Sequence, residues 1–230
     1  MSGSAIESHF SDFYTQKKSV HLYPTEFVIR AFLGSYPELK LDKSTYPGSK
    51  ILDLGYGDGR NMQLLHNLGF EICGVEIDNR INELTVSRLS EIGIKADLRC
   101  GSNSDIPFDD AFFDYMLACH ACYYVKEGER FEDNIQEIAR VMRKGGTVIC
   151  SLPMASTYIL KDAENLGNGH MRIRNDSFGL RNGSIFRAFA DEADIAKAFS
   201  PYFKNFSIGF SDDNYWGIRQ KVWLVRCVKH

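Results

Sequence analysis

The sequence predicts an α/β fold built on an open, mostly parallel sheet. Short apolar runs alternate with amphipathic helical stretches along the chain, and near-continuous apolar runs are typical of strands that are buried on both faces of a parallel sheet. The alternation indicates right-handed crossovers between neighbouring strands. With 230 residues, of which 44% are hydrophobic, the chain is long enough to form one domain with a full core.

The first two segments in chain order are a cap and a core. Residues 1–48 precede the first strand and predict a helical cap, with a helix at 24–36 that begins at Pro24. Residues 49–152 predict the core, whose amphipathic stretches suit helices at 60–68, 79–91 and 130–143. The apolar runs between them predict strands at 49–54, 70–76, 96–101, 113–119 and 146–152.

Two further segments complete the domain. Residues 153–188 are rich in Gly, Asn and Arg and have weak periodicity, so we interpret them as an inserted loop that forms a substrate lid. Residues 189–230 predict a helix at 191–199 and two strands at 203–211 and 219–228. The polar stretch SDDNYWG joins these strands, which predicts an antiparallel hairpin at the sheet edge.

Composition and charge limit the possible partners. Lys and Arg number 27 and Asp and Glu 30, and this net charge of −3 argues against a nucleic-acid partner. No apolar run reaches the length of a membrane span, so we expect no membrane partner. Six cysteines without an export signal predict a reduced, cytoplasmic chain. Cys119 and Cys122 form a C-x-x-C pair without a matching second pair, so we predict no metal. The oligomeric state stays open.

The most informative stretch is a glycine-rich loop between the first strand and the first core helix. It reads Asp53-Leu54-Gly55-Tyr56-Gly57-Asp58-Gly59-Arg60. Glycines let a backbone turn tightly and approach a ligand, and the helix start offers unpaired N–H groups. A dinucleotide fingerprint would need its third glycine at position 60, where this chain has Arg60. The loop therefore argues against an NAD-dependent oxidoreductase.

An acidic residue at the end of the second strand complements the loop. Glu76 lies 19 residues beyond Gly57, and a carboxylate at that position can accept both hydroxyls of a ribose. Ligands of open α/β sheets bind outside the carboxyl ends of the strands. Both features therefore indicate a single crevice for a ribose-containing ligand.

Four ordered segments resemble the class I S-adenosylmethionine-dependent methyltransferases. They are ILDLGYGDGR (51–60), GVEID (74–78), SDIPFDDAFFDYML (104–117) and IQEIARVMRKGG (135–146). The resemblance implies S-adenosylmethionine as cofactor and a Rossmann-like, doubly wound, seven-stranded sheet, mostly parallel with one antiparallel strand near the edge. That expectation agrees with the C-terminal hairpin.

The resemblance also implies roles by position. The glycines would lie under the methionine and ribose, Asp53 near the ammonium, Glu76 at the ribose hydroxyls and Ile77 against the adenine. The residues after the third strand would meet the adenine edge, although they lack the family's frequent acid there. Cys119 would flank the methionine. The predicted cofactor-binding set is Asp53, Gly55, Tyr56, Gly57, Gly59, Asn61, Glu76, Ile77, Ser102, Asn103, Ser104 and Cys119.

The sequence offers two histidines, three tyrosines and two arginines as catalytic and substrate-binding candidates. His120 follows the fourth strand and His170 lies in the lid, and either histidine could act as a general base, a substrate hydrogen-bond partner or a structural residue. Tyr14, Tyr23 and Tyr123 could face a sulfonium through their rings or simply pack in the core. Guanidinium groups match carboxylate and phosphate oxygens, so we assign two lid arginines to an anionic acceptor: Arg172 and Arg174.

We therefore expect a methyltransferase that acts on an oxygen or nitrogen of a small molecule, and the lid arginines suggest an anionic or sugar-type acceptor. Three alternatives remain at this point. A methyltransferase of RNA or protein would need a large recognition surface. An NAD-dependent oxidoreductase conflicts with Arg60. A non-catalytic cofactor-binding protein on the same fold is also compatible with the sequence, because a fold does not determine a function.

Overall fold

The computed structural model describes residues 12–14 and 22–230. The parts of the predicted cap at 1–11 and 15–21 lie outside the described residues. The centre of the fold is a seven-stranded sheet. Its strands are β1 (Lys50–Leu54), β2 (Glu71–Glu76), β3 (Ala96–Cys100), β4 (Phe113–Ala118), β6 (Met142–Pro153), β10 (Phe203–Tyr215) and β11 (Ile218–Lys229). Across the sheet they lie in the order β10-β11-β6-β4-β1-β2-β3.

This topology confirms the predicted fold class. Strands β1, β2, β3, β4 and β6 pair in parallel, whereas β11 is antiparallel to both of its neighbours. Residues 12–14 are helical, and the helices after them are α1 (Glu26–Leu33), α2 (Met62–Asn67), α3 (Asn79–Glu91), α4 (Phe131–Val141) and α5 (Glu192–Phe199). Short 3₁₀ turns lie at Lys43–Thr45 and Tyr158–Leu160.

The apolar runs of the central strands fill two separate cores, one on each face of the sheet. In β1, Leu52 and Leu54 belong to one core and Ile51 to the other, and in β4 Met116 and Leu117 divide in the same way. Side chains of a strand alternate between faces. The sheet is therefore buried on both sides, as the runs predict.

The C-terminal hairpin corrects one expected turn. The stretch SDDNYWG does not form a loop, because β10 continues to Tyr215 and pairs there with Ile218. The turn is reduced to Trp216 and Gly217, whose φ angles are 49° and 98°. Positive φ at both central residues matches the right-handed twist of the flanking strands. The hairpin is longer than expected and places β10 at the edge of the sheet.

The segment expected to be an inserted loop contains strands instead. A second, four-stranded sheet has the order β5-β9-β8-β7 and is antiparallel at each pairing. Its strands are β5 (Tyr124–Val125), β7 (Glu164–Gly167), β8 (His170–Arg172) and β9 (Ile185–Arg187). Weak periodicity concealed these strands because each has only two to four residues. Whether this sheet acts as a lid is a separate, functional question.

Among the helices of the described residues, none has both the length and the apolar character needed to cross a membrane.

Candidate active site

The glycine-rich loop folds as a tight connection between β1 and α2. Gly55, Gly57 and Gly59 have φ angles of 68°, 56° and 74°, in the left-handed region that disfavours side chains. Space is also limited, because a Cβ on Gly55 would lie 2.5 Å from the Ala121 Cβ. A Cβ on Gly59 would lie 2.7 Å from Thr85 Cγ2. Conformation and close packing therefore both require glycine here.

Asp53 lies at the base of this loop as an unpaired buried acid. Its side chain is 1% exposed, and neither carboxylate oxygen has a hydrogen-bond partner within the described part of the chain. Burial raises its pKa to about 8, and the nearby charges of Glu76 and Asp58 add to this. A buried carboxyl group without a partner costs free energy unless a ligand supplies one. Its two oxygens fit a cationic group.

Glu76 is a second buried acid, at the carboxyl end of β2. Burial raises its pKa to about 7, against the opposing hydrogen bond from the Ile77 backbone N–H to Oε2 at 3.2 Å. The other lone pairs of the Glu76 carboxylate can accept hydrogen bonds from hydroxyl groups. Ile77 beside it is 37% exposed and offers an apolar surface next to this acid.

Two non-glycine residues of the loop, Tyr56 and Asp58, stabilise it through hydrogen bonds. The Tyr56 hydroxyl donates to Asn82 Oδ1. Asp58 accepts two hydrogen bonds from the Arg60 guanidinium, at 2.9 and 2.7 Å, and Arg88 Nη1 donates to the Asp58 carbonyl oxygen at 3.0 Å. These contacts join the loop to helix α3, so the glycine backbone is positioned before any ligand binds.

A cavity of about 760 Å³ opens at the carboxyl ends of the parallel strands. Its size is in the usual range for small-molecule sites. Asp53, Gly57 and Gly59 do not line it, and they lie in or below the loop. The structure brings the following predicted residues together in its lining: Tyr14, Gly55, Tyr56, Asn61, Glu76, Ile77, Ser102, Asn103, Ser104, Cys119, His120 and Tyr123.

Asn61 and Asn103 hold parts of this cavity in place. Asn61 Oδ1 accepts a hydrogen bond from the Thr25 backbone N–H at 3.0 Å, which ties the start of α1 to the glycine loop. Asn103 Nδ2 donates to the carbonyl oxygens of Ala121 and Tyr124, both at 3.0 Å. The amide of Asn103 therefore orders the chain after β4. The Ser102 and Ser104 hydroxyls lie 3.4 Å apart beside it.

His120 lies at the end of β4 in an unusual conformation. Its φ angle is 56°, and its backbone N–H donates to Ser151 Oγ at 2.9 Å. The same hydroxyl lies 3.2 Å from Nδ1. Burial and the Arg181 charge lower the His120 pKa to about 4. The imidazole is therefore neutral near pH 7 and can accept a hydrogen bond, although it is a weak base.

Four of the predicted catalytic and substrate-binding residues also lie outside the cavity lining. Tyr23 is 80% exposed. His170 begins β8 and pairs with Arg187 in the small sheet. Arg172 makes two hydrogen bonds to Glu127, at 2.8 and 2.9 Å, and Arg174 pairs with Glu164. The placement does not support their predicted roles, because Tyr23 faces solvent, each arginine is in a local ion pair and His170 does not line the cavity.

Arg181 is a cavity residue that the sequence did not single out. Its guanidinium lies 3.3 Å from both carboxylate oxygens of Asp176, and it lines the cavity beside Tyr124 and Tyr158. Asp176 is itself held by the backbone N–H groups of Phe178, Leu180 and Arg181. The only sequence signal was that Arg181 is one of several cations in this segment, and charge alone could not distinguish them.

Comparisons with known proteins agree with this geometry. The family model for the methyltransferase domain matches residues 52–150. The PH0226 protein from Pyrococcus horikoshii OT3 superposes with a TM-score of 0.66 at 16% identity, over 95% of this chain and 99% of that one. The N-methyltransferase NodS from Bradyrhizobium japonicum WM9, solved with S-adenosyl-L-homocysteine, superposes with a TM-score of 0.65 at 11% identity, over 97% and 98% of the two chains.

The chain has the fold of the class I S-adenosylmethionine-dependent methyltransferases, and its residues 52–150 match the methyltransferase domain. Its cofactor is S-adenosylmethionine, which removes the NAD-dependent oxidoreductase from the alternatives. A 24-methylenesterol C-methyltransferase from Oryza sativa subsp. japonica is 28% identical over 155 residues, or 64% of this chain and 41% of that protein. This chain spans less than half the length of the curated relatives it matches.

The residues of the methyltransferase site fit this cofactor. Asp53 lies below the loop, where its unpaired oxygens suit a contact with the ammonium group through water, and the buried carboxylate of Glu76 suits the ribose hydroxyls. The glycine loop lets the backbone approach the ligand, and Ile77 offers an apolar surface for the adenine. When bound, S-adenosylmethionine supplies an activated methyl group on a positively charged sulfur.

Proposed function

We propose that the protein transfers a methyl group to an oxygen or nitrogen of an uncharged small molecule. One observation carries the proposal: His120, Tyr123 and Arg181 line the same cavity as the cofactor-binding loop. The cofactor-binding loop and these three side chains therefore surround the same cavity. The cavity suits one small acceptor held next to the donor.

The proposed transfer is a direct displacement. A lone pair on the acceptor atom forms the new bond to the methyl carbon, while the carbon–sulfur bond breaks and its electron pair stays on sulfur. The acceptor proton then leaves to solvent. Because the donor is already activated, the enzyme mainly aligns the acceptor and excludes water.

The protein side chains restrict which acceptors are suitable. His120 is neutral at pH 7 and can accept a hydrogen bond from the acceptor, but its lowered pKa makes it a poor proton acceptor. We therefore propose an acceptor that is nucleophilic without strong base. Arg181 is the lid arginine that lines the cavity, and its pairing with Asp176 leaves little net charge there. This pairing favours a neutral acceptor over the anionic or sugar-type one suggested by the sequence.

Location and partners are proposals as well. The six cysteines form no disulfide with one another, which is usual in a reducing compartment, and this supports a cytoplasmic location. The net charge of −3 speaks against an RNA substrate.

The test is methyl transfer from radiolabelled S-adenosylmethionine to a panel of neutral amines, phenols and alcohols. We expect transfer to at least one acceptor. His120→Ala should lower kcat by up to about tenfold, as for one lost transition-state hydrogen bond, with little change in cofactor affinity. His66→Ala, on the exposed side of α2, is the matched control. Labelling of RNA or protein, with no labelled small molecule, would contradict the proposal.

A further inference from the structure

A second cavity of about 590 Å³ lies between α1 and the β10–β11 hairpin. Residues of both strands line it, and among them the register pairs Ser207 with Arg226, Gly209 with Leu224 and Ser211 with Val222. Residues at such paired, alternate positions share one face of a sheet. Helix α1 therefore lies over this face of the hairpin but leaves an open volume beneath it.

The second cavity adjoins the cofactor cavity. Four residues line both: Thr25, His120, Gln220 and Val222. Thr25 precedes α1, and its backbone N–H is bonded to Asn61 of the cofactor site. The two volumes thus meet at the His120 imidazole, next to the site of methyl transfer in the proposed function.

Apolar side chains form the middle of this second cavity, and several charged groups at its lining already have partners. The apolar members are Phe27, Ala31, Leu39, Ile149, Val222 and Leu224. Arg30 donates to Glu26 at 2.9 Å, and Arg219 donates to Asp212 at 2.8 Å. The apolar part of this lining favours an apolar ligand body, because a charged group placed against it would lose hydration.

One donor in the second cavity has capacity for a polar atom. Arg226 Nη1 donates to the Asn205 carbonyl oxygen at 3.0 Å, whereas its buried Nε–H has no partner within the described residues. A ligand here can therefore have one oxygen at some distance from its reacting atom.

We infer that the acceptor of this methyltransferase is an elongated, mainly apolar molecule whose body occupies the second cavity. Its reacting oxygen or nitrogen would lie at the His120 junction. This inference rests on the proposed function and specifies its substrate class. The two adjoining cavities can separate the tasks, because one binds the donor and the other selects the acceptor by apolar burial.

The hairpin offers a position at which the second cavity can be filled selectively. Gly209 is in β10, its φ angle is not in the left-handed region, and a Cβ there would have no heavy atom within 4 Å. Gly209→Phe adds an aromatic ring at the cavity and suits a strand. Ser207→Phe is a second variant on the same face. Lys204→Phe is the control, because Lys204 is exposed in the same strand and lines neither cavity.

The probe is N-phenyl-1-naphthylamine, an uncharged apolar dye whose emission rises when it leaves water. We expect wild type and Lys204→Phe to bind it equally. Gly209→Phe and Ser207→Phe should raise its Kd by about tenfold or more, while the calorimetric Kd for S-adenosylmethionine stays within about twofold. Equal dye binding in all four proteins would overturn the inference.

An acceptor comparison separates this inference from the proposed function. We expect radiolabelled methyl transfer to long-chain or polycyclic amines and phenols to exceed transfer to the small polar acceptors ethanolamine and catechol. Gly209→Phe should reduce only transfer to the apolar members. Transfer to the polar members alone, unaffected by Gly209→Phe, would overturn the apolar acceptor and leave the methyltransferase function intact. Absence of transfer to both sets, despite cofactor binding, would instead contradict the proposed function.

Discussion

The cofactor side and the small antiparallel sheet satisfy their charged groups in opposite ways. On the cofactor side, Asp53 and Glu76 are buried with raised pKa values, and Asp53 has no hydrogen-bond partner among the described residues. In the small sheet and next to it, Arg172 and Arg174 are paired with glutamates. Unsatisfied buried groups indicate a ligand, whereas paired groups indicate structure.

The two regions also differ in what their sequences specify. The glycine loop acts through its backbone, so Gly55, Gly57 and Gly59 determine its shape directly. The small sheet acts through side chains whose partners lie far along the chain, such as Glu127 for Arg172 across 45 residues. The comparison shows that a site formed by the backbone is easier to predict from the sequence than one formed by side chains that pair over long sequence distances.

The largest expected effect is at the loop. Gly55→Ala should destabilise the fold by about 2–5 kcal/mol, because left-handed strain and the contact with Ala121 add together. Gly93→Ala is the matched control: Gly93 has a similar φ angle of 74°, but its Cβ would meet nothing within 4 Å. It should lose only about 1–2 kcal/mol. Chemical denaturation measures both, and equal losses would show that packing at Gly55 is unimportant.

The next effect concerns cofactor affinity. Glu76→Ala should weaken S-adenosylmethionine binding by about 1.5–3 kcal/mol, because charge-assisted hydrogen bonds to the ribose are lost. Glu71→Ala changes an exposed acid at the start of the same strand and should leave affinity unchanged. Isothermal titration calorimetry gives both values. An unchanged Kd for the Glu76 variant would mean that this acid does not contact the ribose.

The raised pKa of Asp53 predicts that the stability of the cofactor-free protein depends on pH. Its pKa is about 8 in the folded state and about 3.9 when unfolded. The folded state therefore holds a proton that the unfolded state has lost, and stability falls as pH rises from about 4 to about 8. Asp53→Asn should make this loss of stability with rising pH smaller. The loss that remains should come from Glu76, whose pKa is also raised. Denaturant unfolding at several pH values tests it, and identical slopes would contradict the raised pKa.

The smallest effects are expected in the small sheet. Arg172→Ala and Arg174→Ala should each change the free energy of unfolding by at most about 1 kcal/mol, since their ion pairs are on the surface. Acceptor KM should not change, whereas Arg181→Ala should alter it. Steady-state kinetics with an identified acceptor measures the contrast. A raised KM for Arg172→Ala would restore the anionic-acceptor hypothesis.

Sequence patterns predicted the order and type of the core elements, down to the bounds of α3 at Asn79–Glu91. They also brought the glycine loop and Glu76 to one edge, because strand ends determine that edge. They did not reveal the two- to four-residue strands of the small sheet, which are too short for periodicity. Nor could charge alone distinguish Arg181, which lines the cavity, from Arg172, which does not.

Ligand-induced stabilisation tests the central claim most directly. The loop and its two buried acids should bind S-adenosylmethionine and S-adenosylhomocysteine but not NAD. At a hundredfold excess over Kd, each of the two adenosyl ligands should stabilise the fold by about 2.7 kcal/mol, seen as a higher Tm in differential scanning calorimetry. A higher Tm with NAD and none with either adenosyl ligand would contradict the account.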